Sequence, residues 1–157
     1  MTARTTHLDD GVRSALRAVG AAAKRGLGDA ALAELVQVRA SQLNHCAFCL
    51  DMHLGLAREA GVSERRLGLL AAREEADGVF DARERAALAL TEAVTVLTGG
   101  TSQTKSGGGF VPDEVYEEAA RHFDAEGLAH LIALITAINS WNRLMVSRRI
   151  PPGSSTW

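Results

Sequence analysis

Apolar residues recur three or four positions apart along most of this 157-residue chain, which is the period of an amphipathic helix. The pattern predicts a first helix from Asp9 or Asp10 to about Arg25, ended by Gly26 and Gly28. Its expected inner face carries Val12, Leu16, Val19 and Ala23. No stretch alternates apolar and polar residues as a half-buried strand does, so we predict an all-α fold.

The same periodicity and a series of capping residues predict further helices, for a total of six to seven. They cover residues of about 30–43, 45–60, 63–71, 81–97, 112–123 and 125–147. The helix over 30–43 is apolar around most of its circumference, which indicates a central position. The helix over 81–97 begins with a capping-box pattern, Asp81 and Glu84, and its expected inner residues are Ala86, Leu90, Ala93, Val94 and Leu97.

The last predicted helix, from about Ala125 to Ser147, is apolar on nearly every side. A single short helical chain has difficulty burying such a helix. We therefore expect it to lie in the core or at a subunit interface of a stable homo-oligomer.

The length of the chain predicts a single domain over residues 1–157. Within it, residues 97–111 contain the glycine-rich run from Gly99 to Gly109, which has no apolar period and predicts a flexible loop. This run lacks the order of residues in a P-loop and follows no strand. Residues 150–157 are expected to form a short tail that includes Pro151 and Pro152.

Composition excludes several classes of function. The net charge is −2 and the sequence pI about 6.2, and no basic cluster is interleaved with aromatic residues, so we expect no nucleic-acid partner. The N-terminus has no apolar signal core, and the apolar run near the C-terminus is interrupted by polar residues, so we expect no membrane attachment. The expected location is the cytoplasm, where paired cysteines are more often catalytic, redox-active or metal-binding than structural.

The two cysteines of the chain, Cys46 and Cys49, are three positions apart, and His53 follows the second by four. On a helix that begins at about Cys46, these side chains share one face, which also carries Leu50. Two thiols on one helical turn have α-carbons about 5 Å apart, which is within the range that a disulfide tolerates. The segment therefore indicates a redox centre that cycles between dithiol and disulfide.

A thiol attacks a peroxide only as a thiolate, and the leaving oxygen then needs a proton from a nearby acid. His53, one turn after Cys49, can take the proton of that thiol and later return one. Glu34, on the otherwise apolar second helix, is the candidate carboxylate to orient the imidazole. A sulfenic acid on Cys49 would condense with Cys46, release water and close the disulfide. The helix N-terminus favours the opposite order, with the thiolate on Cys46.

This arrangement resembles the signature of the AhpD-like alkylhydroperoxidases in the carboxymuconolactone decarboxylase superfamily, with Glu34, Cys46, Cys49 and His53 at its four positions. Residues 38–44 and 137–144 also resemble family members, and the likeness extends from about residue 7 to residue 148. Some members carry a second histidine just before the second cysteine. This chain has Phe48 at that position and His45 one residue before Cys46.

The resemblance implies an all-α enzyme that assembles as a trimer or hexamer and reduces alkyl hydroperoxides. It implies that Cys49 is the peroxidatic cysteine and Cys46 the resolving one. His53 and Glu34 would form the proton relay. We also expect no bound cofactor or metal, and the resemblance implies that the electrons come from a lipoyl-bearing or thioredoxin-like protein dithiol.

Other interpretations make different demands on the same residues. A structural zinc site needs four ligands, so Glu34 would have to join Cys46, Cys49 and His53. A decarboxylase like the superfamily's namesake would not need paired thiols. A protein disulfide reductase or a non-enzymatic redox sensor would keep the thiols, and steady-state peroxide consumption separates the sensor from the enzyme.

The remaining candidate residues are assigned structural roles. We expect a capping or surface position for His45, and surface or packing positions for His7, His122 and His130. We expect packing and hydrogen bonding of the last helix from Trp141 and Asn142, with Trp141 a candidate to line the site or an interface.

Overall fold

The computed structural model describes residues 3–4, 8–97 and 110–155 of the chain. Within these ranges every regular element is a helix, which confirms the all-α prediction. The helices are α1 (Asp10–Leu27), α2 (Ala30–Leu43), α3 (Ala47–Glu59), α4 (Glu64–Leu69), α5 (Ala82–Thr95), α6 (Asp113–His122) and α7 (Ala125–Arg148), with a 3₁₀ turn at Leu70–Ala72. None of these helices has the length and apolar character to cross a bilayer. Most of the predicted glycine-rich loop, residues 98–109, lies outside the described residues.

The predicted capping residues begin the helices of the structure. Backbone N–H groups of the first turns donate to the side chains of four predicted caps, Asp9, Asp29, Ser63 and Asp124. The capping box also forms: Asp81 Oδ1 accepts from the N–H of Glu84 at 2.8 Å, and Glu84 Oε2 accepts from the N–H of Asp81 at 3.0 Å. Each cap stabilises its helix by roughly 0.5–2 kcal/mol.

Helix α2 lies at the centre of the fold, as its apolar circumference predicted. Residues 32–38 are all buried, and α2 packs against α3, α5 and α7. Glu34 and Gln37 are the polar residues within that buried run. A buried carboxylate is costly unless it is paired, so the position of Glu34 requires partners from neighbouring helices.

One face of helix α7 is buried within the chain itself. Five of its large apolar residues are at most 5% exposed, namely Leu128, Leu131, Leu134, Ile135 and Ile138. They are covered because α1, α2 and α5 pack around α7. These residues therefore need no second chain to cover them, and homo-oligomerisation stays a prediction from the family resemblance.

Helix α1 turns a different face to the core from the one predicted. Val12 and Val19 are 49% and 47% exposed, whereas Ala23 is buried as expected. The side of α1 that faces α7 carries small residues, since a Cβ on Gly20 would lie in ordinary van der Waals contact, at 4.0 Å, with the Cβ of Ala137. Small residues let the two helices approach each other, so they face the core and the larger valines face outward.

Helix α5 ends earlier than predicted, at Thr95. Val96 leaves the helical conformation, with φ −103° and ψ 60°, and the predicted inner residue Leu97 is 46% exposed. Ala86 and Leu90 are buried as predicted. The error is confined to the last turn, where no glycine or proline marks the end of the helix.

Gly26 does not end α1, as predicted, but lies inside it. The helix continues to Leu27, and Gly28 takes the left-handed conformation that ends it, with φ 68°. Gly26 is instead a point of close approach, because an added Cβ would lie 2.1 Å from Nε2 of His130. His130 therefore packs against a helix surface that only glycine provides.

We expect Gly26→Ala to destabilise the protein by roughly 1 kcal/mol, because the displaced His130 ring costs more than the helix propensity that alanine gains. Gly68→Ala is the matched control, since Gly68 is an exposed helical glycine with nothing within 4 Å of an added Cβ. That control should gain up to about 1 kcal/mol. Urea unfolding measures both values, and an equal gain for the two variants would refute the proposed contact.

Candidate functional site

The turn between α2 and α3 places the first cysteine. Helix α2 ends at Leu43, and His45 adopts a left-handed conformation, with φ 54°, that reverses the chain. Cys46 is the N-cap of α3, and its Sγ accepts a hydrogen bond from the N–H of Cys49 at 3.3 Å. The helix thus begins at Ala47, slightly later than predicted, and Cys46 lies at its positive end.

Cys46 and Cys49 form a disulfide, with their α-carbons 5.4 Å apart. They are 2% and 1% exposed, so the cysteine pair is nearly inaccessible from bulk solvent. The three-residue spacing therefore produces the thiol pairing that the sequence predicted. A reagent must reach either sulfur through a cavity.

His53 and Glu34 form a buried pair beside this disulfide. His53 Nδ1 lies 2.8 Å from Oε2 of Glu34, and the two residues are 5% and 4% exposed. An ionised carboxylate accepts the proton of Nδ1, which leaves Nε2 as the nitrogen that can exchange a proton with another group. The structure thus joins the two residues that the sequence proposed as a relay.

Lys24 is the third member of this cluster, and no pattern in the sequence predicted it. Its Nζ makes an ion pair with Oε1 of Glu34, so the two oxygens of that carboxylate have different partners. Burial raises the pKa of Glu34, but the hydrogen bonds from His53 and Lys24 outweigh that effect and hold the pKa below its usual value. Glu34 is therefore a carboxylate at neutral pH.

Local sequence patterns carry no signal for Lys24. The residue stands in the last turn of α1, where a basic side chain is favoured by the helix dipole alone. It comes ten positions before Glu34 and on a different helix, so no helical spacing links the two. Only the packing of α1 beside α2 shows the pairing.

A cavity of about 320 Å³ opens beside Cys49 and His53; we call it the Cys49 cavity. Its wall is mainly apolar, and Lys24 and Arg17 contribute the charged groups. The apolar side chains that line it include Phe48, Met52, Leu56, Ile138, Trp141 and Met145. Trp141 thus lines the site, one of the two positions considered for it. The cavity suits a small organic molecule with an apolar body.

A polar network holds the cysteine turn against α7. The side-chain amide of Asn44 donates to Oδ1 of Asn139 and of Asn142, at 2.9 Å each. Asn142 in turn donates to Oγ of Ser41 at 3.0 Å. Asn142 therefore hydrogen-bonds the last helix to α2 and to the cysteine turn, in the hydrogen-bonding role predicted for it. The network fixes the segment directly before Cys46, since buried polar groups with satisfied partners resist displacement.

The remaining histidines lie apart from this cluster. His45 is exposed, as predicted, and His122 pairs with Glu118 at 3.1 Å on α6. His7 lies outside the described residues. Among the residues that the structure describes, no three or more histidine, cysteine or acidic side chains are grouped so that they could hold a metal ion. The absence of zinc stays a prediction.

The chain is similar to two curated proteins without an assigned function. It is 40% identical over 114 residues to the uncharacterized protein YdfG of Bacillus subtilis (strain 168), which covers 73% of this chain and 71% of the relative. It is 33% identical over 129 residues to the uncharacterized protein YnjA of Escherichia coli (strain K12). That match covers 82% of this chain but 64% of the relative.

A solved structure and a family model extend the comparison. The fold superimposes with a TM-score of 0.82 on the crystal structure of an Agrobacterium tumefaciens protein of unknown function, described as a candidate antioxidant defence protein AhpD. The two share 28% identity over 94% of each chain. The model of the carboxymuconolactone decarboxylase family matches residues 10–93, which include both cysteines, Glu34 and His53. The chain therefore belongs to the carboxymuconolactone decarboxylase family and has the AhpD-like fold.

Proposed function

We propose that this protein is a thiol-dependent alkyl hydroperoxide reductase. One observation carries the proposal. Cys49, one half of the disulfide pair, lines the same apolar cavity as His53, and Nδ1 of His53 is held by the buried Glu34. A thiol, a proton carrier and an apolar binding space are what reduction of an organic hydroperoxide requires. Cys49 is the peroxidatic cysteine in this proposal and Cys46 the resolving one.

In the first step the thiolate of Cys49 attacks the terminal oxygen of the hydroperoxide. The O–O bond breaks, its electron pair leaves with the alkoxide, and the alkoxide takes a proton from His53 to become an alcohol. Cys49 is left as a sulfenic acid. Glu34 holds the imidazole through Nδ1, which leaves Nε2 to pass the proton that this step needs.

In the second step the thiol of Cys46 attacks the sulfur of the sulfenic acid. The S–O bond breaks, the disulfide forms, and the hydroxide leaves as water after it takes up a proton. Two thiols and one hydroperoxide thus become a disulfide, an alcohol and water. The Cα–Cα distance of 5.4 Å lets this bond form without a large movement of the backbone.

The cycle needs a dithiol donor to reopen the disulfide, and it needs no bound cofactor. The family resemblance suggests a lipoyl-bearing or thioredoxin-like protein as the donor, a cytoplasmic location, and a trimer or hexamer as the assembly. The exposed Val12 and Val19 on α1 provide apolar surface that a second copy could cover. A decarboxylase would leave the paired thiols without a role.

Turnover with an organic hydroperoxide tests the proposal. We expect steady consumption of cumene hydroperoxide with dihydrolipoamide, thioredoxin or glutathione as the electron donor, and we expect the protein to show two thiols after reduction and none after mild oxidation. Elemental analysis should show no stoichiometric zinc. Activity with none of the donors would support the sensor interpretation, and about one zinc per chain, lost together with the fold on chelation, would support a structural metal site.

A further inference from the structure

A second cavity lies beside the other sulfur of the disulfide. It has a volume of about 450 Å³ and is lined by Cys46, by His45 and Ala47 next to it, and by residues of α7 and the segment that follows it. We call it the Cys46 cavity. It does not include Cys49 or His53, and the Cys49 cavity does not include Cys46. The two cysteines of one disulfide thus line different cavities.

Met145 separates the two spaces. It is 1% exposed and lines both cavities, so its side chain forms a shared wall. The cysteine pair completes this wall, since Cys49 lines one cavity and Cys46 the other. A molecule in the Cys49 cavity therefore does not occupy the Cys46 cavity.

We propose that the Cys46 cavity is the entry site of the dithiol reductant, which attacks Cys46 Sγ while the hydroperoxide uses the Cys49 cavity. The reductant is a dithiol on an apolar chain, because most of the wall is apolar, with Val146, Ile150, Pro151 and Pro152 among the lining residues. The inference rests on the proposed function for the role of the disulfide, but the reductive step can be measured without hydroperoxide.

Charge at the mouth of the Cys46 cavity suits an incoming thiolate. Arg149 and His45 line the cavity, and no aspartate or glutamate does. Both residues adopt left-handed backbone conformations, with φ 54° each, so both chain reversals at this mouth carry a basic side chain. A guanidinium in the wall of this cavity lowers the cost of bringing in the anionic attacking group.

The leaving group explains why attack on Cys46 is productive. The donor thiolate forms a bond to Cys46 Sγ, the S–S bond breaks, and its electron pair leaves with Cys49 Sγ. Cys49 takes its proton in the Cys49 cavity, where His53 lies. The second donor thiol then attacks the donor sulfur of the mixed disulfide and releases Cys46. The donor becomes a disulfide, and its two protons end on Cys46 and Cys49.

Thiol trapping on the unaltered protein identifies the attacked sulfur. The oxidised protein is mixed with 2-mercaptoethanol, quenched after milliseconds to seconds with acid and then alkylated with iodoacetamide. Fragmentation mass spectrometry of the peptide that contains both cysteines locates each label. We expect the mercaptoethanol adduct on Cys46 and the alkyl group on Cys49. The reverse labelling would overturn the proposal.

A pair of filling variants tests the two entrances independently. Val146→Trp narrows the Cys46 cavity and Leu56→Trp narrows the Cys49 cavity, at positions that are 46% and 36% exposed and thus tolerant of a larger side chain. We expect Val146→Trp to slow reduction of the disulfide by dihydrolipoamide by at least about tenfold, because misplaced reactants react slowly. Its thiols should still react with cumene hydroperoxide at a rate within about twofold of the unaltered protein.

Leu56→Trp should give the opposite result, with slow oxidation by cumene hydroperoxide and near-normal reduction by dihydrolipoamide. Unchanged reduction in Val146→Trp, or equal slowing of the two half-reactions in either variant, would refute separate entrances. If the protein does not reduce hydroperoxides at all, the proposed function fails. The reductive half-reaction and the location of the trapped adduct still decide the question of the entrance.

Discussion

Cys46→Ser is expected to react once with an organic hydroperoxide and to leave a sulfenic acid on Cys49 that a dimedone-type probe traps. Cys49→Ser is expected to trap nothing, and both variants should lose catalytic turnover completely. The reason is position: Cys49 shares its cavity with His53, whereas Cys46 opens onto a different one. Mass spectrometry of the dimedone adduct after one equivalent of cumene hydroperoxide measures the outcome.

The structure contains one feature that favours the opposite result. Cys46 is the N-cap of α3, and its sulfur already accepts the N–H of Cys49 at 3.3 Å, so the helix end stabilises a thiolate there. A stable thiolate alone does not reduce a peroxide, because the leaving alkoxide also needs a proton and the substrate needs room. Trapping on Cys46 in Cys49→Ser, with none in Cys46→Ser, would mean that the helix end selects the nucleophile.

A control for folding accompanies both cysteine variants. Each serine replaces a sulfur that is at most 2% exposed, and each removes the same disulfide. The comparison protein is therefore the reduced parent, which also lacks the disulfide. Equal circular dichroism spectra for the three proteins would assign the difference in trapping to chemistry rather than to unfolding.

The elements of the fold could be predicted because their signals are local. The caps Asp29, Asp81 and Asp124 stand directly before apolar residues at helical spacing, and each accepts a backbone hydrogen bond in the structure. The pairing of Cys46 with Cys49 is also local, because the two residues stand three positions apart at the start of α3. Each of these features depends only on residues that are close together in the sequence.

Features that depend on how helices pack could not be predicted in this way. The inner face of α1 includes Gly20, which faces Ala137 of α7, and glycine contributes nothing to an apolar stripe. A glycine such as Gly26 is equally typical of a helix end and of a close contact, here with His130, so the sequence alone does not distinguish the two. Glu34 could be identified as a charged residue on an apolar helix. Its second partner, Lys24, is identified only by the packing of α1 beside α2.

Lys24, Glu34 and His53 form a hydrogen-bonded cluster in which the charge of Glu34 depends on pH. The pKa of Glu34 lies below its usual value in the folded protein. Glu34 therefore contributes stability that is present above the pKa of the unfolded chain and is lost as the pH falls through the lower folded value. The oxidation rate should fall in the same range, because a neutral Glu34 no longer holds the imidazole proton at Nδ1.

His53→Gln is expected to slow the oxidation of the reduced protein by roughly 10²–10⁴-fold, which is typical of a lost general acid or base. Glu34→Gln should slow it less, because Glu34 is a positioning residue that acts through the imidazole. Lys24→Met should have the smallest effect on the rate at neutral pH. Stopped-flow measurement of thiol loss with cumene hydroperoxide gives all three rates.

The pH profile separates positioning from a merely structural role. Lys24 lowers the pKa of Glu34, so its removal should raise that pKa and move the acid limb of the rate profile to higher pH. Glu34→Gln should remove the contribution of Glu34 to that limb. Arg25→Met is the matched control, since Arg25 is the exposed neighbour of Lys24 on α1 and should leave the profile unchanged. An unshifted profile in Lys24→Met would exclude a role for this cluster in the mechanism. A rate within about threefold of the parent in His53→Gln would also exclude it, because a working general acid contributes far more than that.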